Sequence, residues 1–181
     1  MNILPTDFKL NKYGLDVRFI NENDATFIVG LRTDERLGRY INSTSPKVED
    51  QIRWTEQYKK REAEGIDYYF IFEKMRTPLG VCRIYDIRSG EFTIGSWLFK
   101  KDAPVGTAIL GDIITREVAF GLFPDSTLLF DVRKDNFNVN RYQVAYKPEI
   151  IDENQLNYYY SCSRENFEKY KERYIKMFYK L

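Results

Sequence analysis

The chain has 181 residues, with 28 Lys+Arg against 27 Asp+Glu and a formal net charge of +1. That length fits one domain, and the even charge argues against a dedicated nucleic-acid binder or a polybasic membrane-surface protein. There is no histidine and there are only two cysteines, which removes His-based triads, His–Cys zinc sites and imidazole bases, while 14 Tyr and 13 Phe help bring the aromatic share to 16%.

The elements follow in chain order. Phe8 and Leu10 alternate, Asn11–Gly14 is a turn signal, and Leu15, Val17 and Phe19 alternate again, so residues 7–20 read as a hairpin. Asn21–Asp24 offers helix caps before the stripe Phe27, Ile28, Leu31. Residues 33–45 are polar and read as a loop. Ser45–Pro46 then predicts an N-cap and first helical position for a helix running to Gly65, a C-cap. Tyr68–Glu73, Leu79–Ile87 and Phe92–Phe99 form three strands with short connectors, hence an antiparallel meander.

The loop Lys100–Val105 leads into a helix over Gly106–Phe123. Residues 127–132 read as a strand, Phe137–Tyr146 as a short helix, and Ile150–Ile151 and Tyr158–Ser161 as strands. In the tail, residues 164–181, Phe167, Tyr170, Tyr174 and Phe178 share one helical face that packs on the body. Residues 1–181 therefore read as one domain without internal repeats. Strand, helix and strand from Phe92 to Val132 predict a parallel pair inside an otherwise antiparallel sheet with helices on both faces.

No apolar run approaches the ~20 residues of a membrane helix, and MNILPTDFKL lacks the layout of a signal peptide. A cytoplasmic protein is expected, with no nucleic-acid or membrane partner, no metal, and Cys82 and Cys162 as free buried thiols.

The chemistry concentrates in Glu91–Phe120. A strand ends, a Pro/Gly loop follows, and a helix starts at Gly106, presenting unpaired N–H groups and a partial positive charge, with Lys100 and Lys101 beside it. This is a phosphate cradle or a plain strand-to-helix turn. Gly95, inside the preceding strand, marks a bulge or a close backbone approach. If that strand splays from Thr127–Val132, a gap opens in which an extended ligand can pair as an added strand.

These segments resemble the GCN5-related N-acetyltransferases, in particular the branch with ribosomal-protein N-terminal and aminosugar acetyltransferases. The resemblance covers roughly residues 14–163 and rests on LDVRFINENDATFIVGLRTD at 15–34, EDQIRWTEQYKKR at 49–61, GSWLF at 95–99, Gly106–Thr107–Ala108, and LLFDVRKDNFNV at 128–139. It implies an α/β (α+β) fold, a mixed, mostly antiparallel seven-stranded sheet flanked by helices with a splayed parallel pair at the centre. It also implies acetyl-CoA as cosubstrate, with the backbone of Leu98 and Phe99 on the pantetheine arm, the N–H groups of Val105, Gly106, Thr107 and Ala108 on the pyrophosphate, and Asn136 on the pantetheine. Asn136 also suits an N-cap.

Two positions depart from the family pattern. Ala103 stands where a polar residue opens the phosphate motif, and Gln143 where many relatives carry an acidic Tyr; Tyr142 and Tyr146 are its neighbours. With no histidine, the proton sink must be a carboxylate: Glu91 first, then Asp131 and Asp86. The backbone N–H near Phe99 is the oxyanion donor by resemblance. Tyr68–Tyr69–Phe70, Tyr85, Trp97 and Tyr158–Tyr160, with the loop Gly38–Ser45, are candidate acceptor walls or plain core. The resulting expectation is an N-acetyltransferase, monomer or homodimer, for a small-molecule amine, aminosugars among them. The alternatives are a protein N-terminal acetyltransferase and a catalytically silent acyl-CoA-binding module.

Overall fold

The protein is described by a computed structural model covering residues 3–179. The chain folds in the order β1 (Lys9–Lys12), β2 (Leu15–Phe19), α1 (Ala25–Thr33), α2 (Val48–Ala63), β3 (Tyr68–Lys74), β4 (Thr77–Arg88), β5 (Glu91–Phe99), α3 (Thr107–Leu122), β6 (Thr127–Arg133), α4 (Phe137–Val144), β7 (Glu149–Glu153), β8 (Asn157–Cys162) and α5 (Arg164–Phe178). The sheet has eight strands in the order β1-β2-β3-β4-β5-β6-β8-β7, one more than the expected seven. The count rises because both arms of the N-terminal hairpin join the sheet. Lys12 pairs with Leu15 across Tyr13 and Gly14, whose φ of 51° and 74° give a tight turn matched to strand twist.

Local signals explain most boundaries. Asn21 and Asp24 close a capping box ahead of α1. The end of α2 is a Schellman turn: Gly65 has φ 74°, its N–H bonds to Glu62 O, and Ile66 N–H bonds to Arg61 O. The start of α2 differs from the sequence reading. Lys47 is the N-cap and Val48 the first helical residue; the Ser45 hydroxyl donates to Asp50 and accepts from Lys47 N–H, one residue ahead of the helix. The short helix α4 ends at Val144, earlier than expected, and residues 180–181 of the predicted C-terminal helix lie outside the described residues.

Alternation along β3 divides the interior in two. Tyr68, Phe70 and Phe72 face a large core with α3 and α5, whereas Tyr69 and Ile71 face a smaller one with Ile28, Leu31 and Tyr58 of α1 and α2. Helices thus cover both faces, as expected. Phe167 of α5 is fully buried, and Tyr170, Tyr174 and Phe178 pack partly buried against the same core. Cys82 and Cys162 are free and buried, and burial pushes the Cys82 thiol up to about 12. No helix among the described residues is long and apolar enough to cross a membrane.

Candidate active site

The parallel pair β5–β6 holds only from Glu91–Thr127 to Thr93–Leu129. Beyond that point the strands part. The parting coincides with a bulge on β5: Val81 pairs with Leu98 and Arg83 with Gly95, so three steps on β5 oppose two on β4. The extra residue falls at Ser96, which has a left-handed φ of 49°. Gly95 beside it lies close to Tyr85, whose hydroxyl and ring edge a Cβ there would press on. The bulge expected near Gly95 is therefore present, and it turns β5 away from its neighbour.

Between the parted strands lies a cleft of about 310 Å³, lined among others by Gly95, Phe99, Asp131, Asn136 and Gln143. Lys100 N–H bonds to Leu79 O on β4. Backbone groups alternate sides along a strand, so the N–H and C=O of Phe99 face the open cleft, while those of Leu98 point to β4 opposite Val81. Of the two residues expected to pair with an extended ligand, only Phe99 offers its backbone. Its ring is lodged where a Cβ on either Gly80 or Gly111 would overlap it, which fixes the amide's position.

Asn136 caps α4, accepting from Val139 N–H at 3.4 Å; among the described residues its amide nitrogen makes no hydrogen bond, and the residue lines the cleft. Gln143 is buried in the cleft floor, where its Oε1 accepts from Arg116 at 2.6 Å. Arg116 is 1% exposed and pairs with Asp112, itself 1% exposed, at 2.8 Å. The Tyr142 hydroxyl donates to Asp112 at 2.6 Å. Gln143 and Tyr142 are thus both tied into one buried network, and neither is a free acid.

The carboxylate candidates separate clearly. Asp131 lies exposed at the cleft rim on the face of β6 opposite Phe130 and Val132, and partial desolvation there pushes its carboxyl above the ordinary 3.8. Tyr85 stands close enough for Asp131 to help raise its hydroxyl, burial being the larger cause. Glu91 sits at the paired end of β5, opposite Thr127 and 3.6 Å from Arg88, away from the cleft. Asp86 lies on β4 outside both cavities.

The loop before α3 is built as a cradle but stands apart from the cleft lining. Of the four N–H groups expected on a pyrophosphate, that of Thr107 is taken by Pro104 O; Leu110 N–H is the first to bond within the helix, so among the described residues the N–H groups of Val105, Gly106, Ala108 and Ile109 are unspent. No side chain caps this end, and no acidic residue occupies its first turn. Gly106 has φ 86°, and a Cβ there would overlap the Phe178 ring of α5. Its missing side chain accommodates the chain's own C-terminal helix. Trp97 Nε1–H donates to Ala108 O at 2.8 Å and ties this turn to β5.

A second cavity, of about 380 Å³, lies on the α1–α2 face and meets the cleft at Ser96, which lines both. Asn42–Ser45, Tyr69 and Tyr85 line it as expected from the sequence. Trp97 and Tyr158–Tyr160 do not line it; Tyr68 and Phe70 belong to the core. Trp54, Arg32 and Arg83 complete its walls, none of them anticipated. Arg83 is stacked between Trp54 and Tyr85, 5.1 and 4.8 Å from their ring centres, and is paired with Asp67. No cluster among the described residues could hold a metal ion.

An added-strand cleft beside a bulged, splayed strand, with free N–H groups opening the next helix, is the architecture of the GCN5-related N-acetyltransferase fold, and the chain has that fold. Apo FdhC, a nucleotide-linked sugar GNAT, superposes with a TM-score of 0.83 at 28% identity, over 96% of this chain and 99% of that one. A ribosomal-protein-S5-alanine acetyltransferase from Vibrio fischeri matches with a TM-score of 0.74 at 14% identity, over 89% of this chain and 99% of that one. A spermidine N-acetyltransferase from Vibrio cholerae, solved with CoA and spermine, matches at 0.72 and 12% identity, over 87% of this chain and 99% of that one. The latter two carry the fold alone. No family model and no curated protein matches the sequence.

Proposed function

We propose that the protein is an acetyl-CoA-dependent N-acetyltransferase that acts on a primary amine of a small molecule, aminosugars being the class its aromatic, hydroxyl-rich cavity suits. The observation that carries this reading is the meeting of two cavities at Ser96: an added-strand cleft on one side and a polar cavity on the other. The sugar-acting neighbour, which is also the one with the higher identity, supports it.

Bound acetyl-CoA supplies an activated acetyl thioester. The residues of this chain do the rest. The Phe99 N–H and C=O pair with the extended arm, and Asn136 adds a side-chain donor from the opposite wall. The free N–H groups of Val105, Gly106 and Ala108 and the positive end of α3 hold the pyrophosphate. Ala103 contributes no polar side chain there, so backbone carries the load. A backbone N–H near Phe99, other than the one on the arm, stabilises the developing oxyanion. The amine attacks the carbonyl carbon from the Ser96 side, its excess proton passes to Asp131 directly or through water, and the C–S bond breaks with the electron pair on sulfur. Gln143 cannot donate a proton, so the sulfur leaves as thiolate and is protonated from solvent.

The test is coenzyme A release from acetyl-CoA across a panel of aminosugars, polyamines and peptides with free N-termini. Release with an aminosugar and none with the peptides is expected. Release only with peptides overturns the acceptor assignment, and acetyl-CoA binding without release to any amine overturns the enzymatic one.

A further inference from the structure

Arg32 lines the second cavity, and no described residue is its ionic partner. The other charged groups of that wall have ionic partners: Asp50 is paired with Arg53, and Arg83 shares the Asp67 carboxylate with Arg61. Among the described residues Arg32 makes no salt bridge; its contacts are neutral, to Thr44 Oγ1 at 2.6 Å, Ser96 Oγ at 3.3 Å and Asn42 O at 3.4 Å. A guanidinium carries five N–H donors, and these contacts use three. A half-buried cation lacking a counter-charge is costly unless something supplies one.

A second observation points to the same place. Among the described residues the Tyr69 hydroxyl, in a side chain 2% exposed on the cavity wall, makes no hydrogen bond of good geometry, and Arg32 and Ser96 are the polar groups beside it. Buried hydroxyls are satisfied in the large majority of cases. An orphaned O–H next to an unpaired guanidinium is a hydrogen-bond set that a ligand completes.

We infer that Arg32 and Tyr69 form a subsite for an anionic group carried by the acceptor, a carboxylate or a phosphate, next to the point where its amine meets the thioester. The inference rests on the acetyltransferase reading and narrows its acceptor to amines bearing a negative charge. The planar fork of Arg32 suits the bidentate oxygens of either anion. The same charge repels polyamines and cationic peptide N-termini, so it selects against them as well.

The experiment compares coenzyme A release by the full-length protein with glucosamine, an aminouronic acid, a nucleoside diphosphate-linked aminosugar and spermidine. One of the two anionic amines should exceed glucosamine in kcat/KM by about tenfold or more, with spermidine the poorest. Which anionic amine wins separates carboxylate from phosphate. In Arg32→Met that advantage should collapse to within about twofold, and calorimetric binding of the amine-free counterpart of the better acceptor should weaken in parallel. Tyr69→Phe keeps the fold testable: losing an orphaned hydroxyl should leave the melting temperature unchanged or higher while KM for the anionic acceptor rises. Glucosamine or spermidine matching the anionic amines, or an anion advantage that survives Arg32→Met, overturns the subsite. Absence of release with every amine in the wild type overturns the acetyltransferase reading and the subsite with it.

Discussion

Asp131 carries the acid–base argument at the scale of single residues. Only its ionised form accepts the amine proton, and partial desolvation at the cleft rim raises its pKa above the ordinary 3.8. The rate should therefore rise with pH through that raised value, and Asp131→Asn should erase this acidic limb. A general base contributes about 10²–10⁴-fold, so kcat should drop by that order while acetyl-CoA affinity holds. Glu91→Gln, altering a carboxylate beside Arg88 at the paired end of the strand, should leave kcat within about twofold. Steady-state coenzyme A release between acid and neutral pH checks both; an unchanged profile in Asp131→Asn removes it as the base. Residue type told only that a carboxylate must serve. Which one reaches the cleft depends on where β5 and β6 part, and nothing in the spacing of Glu91 or Asp131 encodes that.

Among the elements, the junction of β5, α3 and α5 decides how the phosphate cradle is held. Gly106 meets two demands at once: a left-handed backbone and contact with Phe178. Gly106→Ala should destabilise the fold by about 1–3 kcal/mol, from strain at positive φ plus overpacking. Phe178→Ala in the same chain should recover the steric part and leave the φ part, a coupling measurable by urea unfolding of the two single variants and the double. Simple additivity would mean that the ring and the glycine do not interact. The sequence marked Gly106 correctly as a helix start, because capping chemistry is local. It did not reveal the α5 ring above it, because that contact joins segments far apart in the chain. The bulge at Ser96 lies between these cases: Gly95 announced an irregular strand, but the pairing with β4 selected its neighbour for the positive φ.

Across the whole molecule, the Asp112–Arg116 pair binds the layers together. Arg116 reaches Gln143 of α4 and stacks near Phe130 of β6, Tyr146 and Phe167 of α5. Arg116→Leu leaves a buried Asp112 without its cation and should cost about 3–5 kcal/mol in denaturant unfolding, whereas Asp112→Asn with Arg116→Leu should lose less. Equal losses in the single and double variants would show that the charge pair is not what matters. Periodicity and turn chemistry, which act within a few residues, made nearly every strand and helix legible, including the parallel step and the aromatic face of α5. The absent histidines and the Gly-led helix narrowed the chemistry before any contact was known. Only the tertiary structure decided that β5 splays after Thr93, that Phe99 rather than Leu98 opens its backbone to the cleft, that Arg32 stands without a counter-charge, and that Asp131 reaches the cleft rim where Glu91 does not. The splay and the place of Asp131 are set by register between strands that an entire helix separates in the chain, the facing of Phe99 by the pairing of β5 with β4, and the setting of Arg32 by the packing of α1 on the sheet; none of these is local to a few residues.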